Sequence, residues 1–265
     1  MAAGRRWKKE ELLVVLNLYH KLNFGQFHQR QPLVIALAQK LDRTPSSVAM
    51  KLSNFASLDP ALKLRGIKGL EGASQLDRTT WQELKELPEE FIPASEQAIR
   101  DLFGADEDSV IEVVPSEGIK RRSRSVNLPT ETVANVKQRR GQEFFREAVL
   151  NNFSGCCGIT GLSLRELLIA SHILPWGKYP AERLNVSNGL CLSRLHDAAF
   201  DRGLIAFDDE LKLILSNRIR SVLCENTVAE NFGAYEGEAL NVPADAILPD
   251  SEFLARHRRE IFCDS

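Results

Sequence analysis

The sequence contains no apolar run long enough to cross a membrane, and MAAGRRWKKE does not read as a secretory signal, so a cytoplasmic location with no membrane partner is expected. Cysteine is scarce and odd in number: Cys156, Cys157, Cys191, Cys224 and Cys263. Five thiols in 265 residues do not suggest a disulfide framework. A large net charge is also missing: at −2 it gives no argument for a nucleic-acid partner. What remains is an ordinary soluble composition, 43% apolar and 26% charged, enough to bury one large or two ordinary cores.

The near-neutral total hides segregation. Residues 1–70 hold twelve Lys/Arg against four Asp/Glu, and residues 81–118 hold eleven acids against Lys85 and Arg100. Residues 119–146 hold eight bases against Glu131 and Glu143. Basic blocks of this kind attract phosphate backbones, although any solvated surface carries charge.

Periodicity places a helix from Arg5 to about Leu22, with Trp7, Leu12, Leu13, Leu16 and Tyr19 on one face. A second is expected from Pro32 to Leu41 and a third from about Pro45 to Phe55, capped by Thr44 or Ser46. Asp42-Arg43-Thr44-Pro45 makes the tight connection, and Val48, Leu52 and Phe55 turn inward. The segment IALAQKLDRTPSSVAMKLSNF resembles helix-turn-helix motifs, and the opening W-x-x-E-E-L is similar to Myb-like three-helix domains. That resemblance implies double-stranded DNA contact by the third helix, with Arg43, Ser46, Ser47, Lys51 and Asn54 as candidates; a small bundle without DNA contact is the alternative. Gly66, Gly69 and Gly72 mark residues 58–81 as loop-rich. Pro88, Pro93, Pro115 and the acidic run mark residues 83–126 as a linker with a short helix near Ala94–Phe103. A helix is expected from Thr130 to Leu150, where Arg139, Arg140 and Arg146 could hold phosphates. A last helix is expected from Ser251 to Phe262, and its His257 reads as structural or solvent-facing.

One stretch organises the rest: CGITGLSLRELLIASHILPWGKYPAERLNVSNGLCLSRLHDAAFDRGLIAF, residues 157–207. LLIASHI reads as a strand ending at His172, LCLS after Asn188-Gly189 as a second, and RLHDAAF, with His196, as a helix. Leu204–Phe207 and Leu211–Leu215 can then pair as strands. The words SHI-x-PW, R-x-N-x-x-NGL and HD-x-x-FD-x-GL resemble a bacterial restriction-type branch of the HNH nucleases. NFASLDP, RRGQEFFREAVL and YEGEALNVPADAILPDSEF are similar to flanking parts of those proteins.

The resemblance implies an α+β chain: a helical, helix-turn-helix-like part (1–82), the linker (83–126) and a ββα-metal nuclease domain with an extension (127–265). It implies metal-dependent hydrolysis of DNA phosphodiester bonds. His172 would be the general base, Asn188 a brace or metal contact, and His196 a metal ligand, with Arg183 on a phosphate. Many relatives place Asp, Glu or His just before the base; here it is Ser171, so Asp201, with Asp197 behind it, is the substitute ligand. Mg²⁺ or Mn²⁺ is the expected ion, with Ni²⁺ or Zn²⁺ as alternatives. Only Cys157 and Cys191 stand where two C-x-x-C pairs would be needed, so no structural zinc is expected. Restriction of foreign DNA, with a homodimer cutting both strands, is the implied role. A non-specific nuclease effector triggered by a partner and a DNA-binding protein with a decayed site are the alternatives.

Overall fold

The computed structural model of the chain describes residues 5–106, 109–123 and 133–263. It forms two compact units, Met1–Asn151 and Asn152–Ser265.

In the first unit, α1 (Lys9–Tyr19) buries Leu12, Val15, Leu16 and Tyr19, which recur every three or four residues along one face. The Glu11 carboxylate accepts from the Lys8 backbone N–H at 2.9 Å and so closes the helix start. Helix α2 (Pro32–Lys40) and helix α3 (Pro45–Ala56) each begin with Pro, whose missing N–H costs nothing there. Thr44 caps α3 by accepting from Ser47 N at 3.2 Å. Leu33, Leu37, Val48, Leu52 and Phe55 join the α1 face in one core. Each such side chain contributes about 1.5–3 kcal/mol on burial.

The short α4 (Pro60–Leu64) leads to α5 (Gln75–Glu86), in a stretch expected to be loop-rich through Trp81. Ser74 and Asp77 form a capping box there, with Asp77 N donating to Ser74 Oγ at 3.2 Å and Ser74 N to Asp77 Oδ2 at 2.7 Å. The described residues of 83–126 are likewise not a linker in this structure. They hold α6 (Pro88–Leu102) and an antiparallel hairpin, β1 (Ser109–Val114) with β2 (Gly118–Ser123). Phe91, Ile92 and Ile99 are buried, and α6 packs on α1. Of the acidic residues that suggested a solvated linker, Glu89, Glu90 and Asp101 lie on the outer face of α6, whereas Glu96 is buried in its inner face. In the hairpin, Ile111 and Val113 turn into the core at strand alternation. Helix α7 (Val133–Asn152) runs to the unit boundary and buries Phe144, Phe145 and Val149. Its expected start at Thr130, and residues 124–126 of the expected linker, lie outside the described residues.

In the second unit, β3 (Leu168–His172) pairs antiparallel with β4 (Gly189–Ser193), setting His172 opposite Gly189. Helix α8 (Arg194–Asp201) follows at once, because Ser193 ends the strand and caps the helix by accepting from His196 N at 3.3 Å. A second hairpin, β5 (Ile205–Phe207) with β6 (Leu213–Leu215), adds Phe207, Leu213 and Leu215 to the core. Short helices α9 (Asn217–Arg220) and α10 (Asn226–Asn231) precede α11 (Ser251–Glu260), which Asp250 caps. Cys157 and Cys191 are fully buried, and Cys157 Sγ accepts from Ser193 N at 3.3 Å. Among the described residues no helix is long and apolar enough to cross a membrane.

Candidate active site

A cleft of about 450 Å³ opens over β3 and α8. Ser171 and His172 reach it from the end of β3, Pro175 and Trp176 from the following loop, Asp197 and Asp201 from α8, and His257 and Ile261 from the C-terminal segment.

His172 is the last residue of β3, where the sheet gives way to the 173–188 loop. Its Nε2 lies 3.0 Å from the Arg183 carbonyl oxygen, which can only accept. Nε2 therefore carries the proton, and in the neutral ring Nδ1 is the lone-pair nitrogen. The Trp176 indole meets the imidazole edge-on, with centroids 5.3 Å apart. Burial pushes the His172 pKa down, and the Arg183 carbonyl opposes that only in part.

Asp197 and Asp201 are four residues apart on α8, hence on one face. Burial raises the Asp197 carboxyl, against the Ser171 hydroxyl and Arg194. Burial also raises Asp201, and the neighbouring Asp197 charge adds to it, against Arg202. A cation would relieve the charge that Asp197 imposes on Asp201. The Ser171 hydroxyl is buried in the same cleft and is directed at the Asp197 carboxylate. Among the described residues no group of three or more His, Cys, Asp or Glu gathers as a ligand set, so the oxygen atoms of Asp197, Asp201 and Ser171 are the donors on offer.

The other two expected site residues serve the frame instead. Asn188 is fully buried, with Oδ1 accepting from Leu174 N at 2.8 Å and Nδ2 donating to the Glu182 carbonyl at 3.0 Å. Its side chain closes the 173–188 loop, the bracing role among the two expected for it. His196 is 1% exposed, with Nε2 donating to the Asn231 carbonyl at 2.7 Å and Nδ1 accepting from Ser193 Oγ at 2.7 Å. Both ring nitrogens are engaged and the ring packs on Phe232, so the expected metal role for His196 fails on geometry. Its neighbour one position on, Asp197, is the residue that faces the cleft.

The expected DNA contacts fare similarly. Arg43 donates to both Glu11 oxygens, at 3.0 and 2.8 Å, and stacks 3.7 Å over Trp7. Lys51 is paired with the buried Asp77 at 2.7 Å, and Asn54 is itself buried. Arg140 is 3% exposed and donates to Gln97 and Glu143. These side chains hold the first unit together and are not presented to a phosphate. Ser47 and Arg139 are half-buried, and α3 turns Ser46 and Met50 outward. Arg183 donates to the Trp176 carbonyl at 2.7 Å and lies over its ring, bracing the loop behind His172.

Sequence reasoning underrated two cleft residues. Asp197 ranked behind Asp201, although the four-residue spacing groups them. His257 read as a structural tail residue, and nothing local in the sequence shows that α11 lines the cleft.

Residues 157–208 match the model of the HNH endonuclease family. The matched segment contains β3, the 173–188 loop, β4, α8 and β5, and thus most of the cleft. No curated protein matches the chain.

Proposed function

We propose that the chain is a metal-dependent DNA endonuclease whose active site is the cleft formed by His172, Asp197 and Asp201. The observation that carries this reading is an imidazole that shares one cleft with two carboxylates on one helix turn, inside the segment that matches HNH endonucleases. His172 takes the proton of the water that attacks phosphorus, through Nδ1, because Nε2–H is held by Arg183. Burial keeps the ring neutral and able to accept. Asp197 and Asp201, with Ser171 beside them, would hold the divalent ion. Their all-oxygen set suits Mg²⁺ or Mn²⁺ better than Ni²⁺ or Zn²⁺. When bound, the ion supplies positive charge to a nonbridging phosphate oxygen and to the leaving oxygen. Asn188 and Arg183 keep the loop closed behind His172.

A restriction-type role is the biological reading we favour, supported by the resemblance that runs through flanking segments on both sides of the matched residues. One such cleft cuts one strand per encounter, so a two-fold dimer would sever a duplex.

The test is cleavage of supercoiled plasmid by wild type, Asp197→Asn and Asp201→Asn in Mg²⁺, Mn²⁺ or EDTA. Wild type should cut with either metal and not in EDTA, and each variant should lose about 100-fold or more in rate. Discrete fragments support a restriction enzyme, whereas a smear supports a non-specific effector. Cutting that persists in EDTA removes the metal-dependent reading.

A further inference from the structure

His257 enters the cleft from outside the family-matched segment. It is 1% exposed, and its ring lies flat on Phe200, with centroids 3.8 Å apart and planes within 1°. Phe200 is the penultimate residue of α8, where helix carbonyls lose their intrahelical partners. Its carbonyl accepts from the backbone N–H groups of the C-terminal turn, Gly203 N at 2.9 Å among them, and from His257 Nε2 at 3.1 Å. His257 Nδ1 is buried with no hydrogen-bond partner among the described residues, so the bond to Phe200 is the one that orients the ring. Burial pushes its pKa down to about 4, so the ring is neutral near pH 7 and Nε2 keeps its proton for Phe200.

The helix that carries His257 is itself pinned. Cys263 N donates to the Gly203 carbonyl at 2.9 Å, and Arg258 to the Phe207 carbonyl at 2.6 Å. Glu260 accepts from Lys178 at 2.5 Å and from Tyr179 at 2.7 Å, tying α11 to the loop after β3. At Gly203 the backbone has φ +65°, and an added Cβ would fall 1.9 Å from the Ile261 oxygen. A glycine with left-handed backbone thus lets the C-terminal segment close on the end of α8.

We infer that His257 is a positioning residue of the cleft: by holding the C-terminal end of α8, it fixes Asp197 and Asp201 at the spacing that binds a divalent cation. The inference rests on the nuclease reading and extends it to a residue outside the matched domain. Phe200 sits between the two carboxylates in sequence, so any shift of that helix end moves Asp201 first. Groups that orient metal ligands from behind typically contribute about 10- to 100-fold in metal affinity.

The experiment is Mn²⁺ binding to the full chain by calorimetry without DNA, with thermal melting as a fold control. His257→Phe retains a ring that can stack on Phe200 but has no donor, whereas His257→Gln has a donor and no ring. His257→Phe should bind Mn²⁺ about tenfold more weakly or worse while still melting cooperatively, and His257→Gln should recover part of the loss. A folded His257→Phe with wild-type Mn²⁺ affinity overturns the inference alone and leaves the nuclease reading standing. Wild type that neither binds Mn²⁺ nor cuts plasmid overturns both. If His257→Phe does not melt cooperatively, His257→Met, which also lacks a donor, is read in its place by the same criterion.

Discussion

His172→Ala should lower plasmid cleavage by about 10²- to 10⁴-fold, the usual worth of a positioned general base. The fold should survive, because β3 is held by backbone pairing with β4. The wild-type pH profile supplies an independent readout. His172 acts as a base only when neutral, and burial lowers its pKa. The rate should therefore rise with pH through a midpoint below the ordinary imidazole value of about 6.5 and then level off. A midpoint above that value, or a His172→Ala variant that cuts at the wild-type rate, would assign the base elsewhere.

Breaking the buried ion pair of the first unit should have the largest effect on stability. Lys21 and Glu96 meet at 2.6 Å with side chains 0% and 1% exposed. Asn17 donates to the same Glu96 oxygen at 3.1 Å and to Ser95 Oγ at 2.8 Å. Glu96→Leu leaves the Lys21 ammonium out of water and without its counter-charge, which costs about 3–5 kcal/mol. Chemical denaturation should show the loss in the transition of the first unit. The double variant Lys21→Met/Glu96→Leu removes both charges and should recover most of it. A single variant as stable as wild type would mean that water reaches Lys21.

The elements around the cleft were legible in the sequence because each carries a local signal. LLIASHI and LCLS read as strands on apolar content, and RLHDAAF as a helix. His172 emerged from the same words. Which of its two expected roles Asn188 takes, and the role of His196, did not follow, because residue type does not reveal which atoms are already engaged. His196 is occupied by the Asn231 carbonyl, 35 positions away, and Asn188 by the loop that it closes. Arg43 and Lys51 were misread for the same reason. Their partners Glu11 and Asp77 lie 32 and 26 positions off, beyond any helical or strand period. The hairpin β1–β2 was not legible because SVIEVV shows no polar/apolar alternation; only burial alternates along it, and acidic residues surround it. His257 reads from the sequence only as structural or solvent-facing, and its place in the cleft was not legible, since it comes from Phe200, 57 positions earlier.

The most direct measurement is the position of Mn²⁺ by anomalous diffraction from crystals of the full chain grown with the metal. The expected result is an anomalous peak at Asp197 and Asp201, in the cleft beside His172. A peak at His196 or Asn188, or none in the cleft at millimolar Mn²⁺, would contradict the assignment of this site.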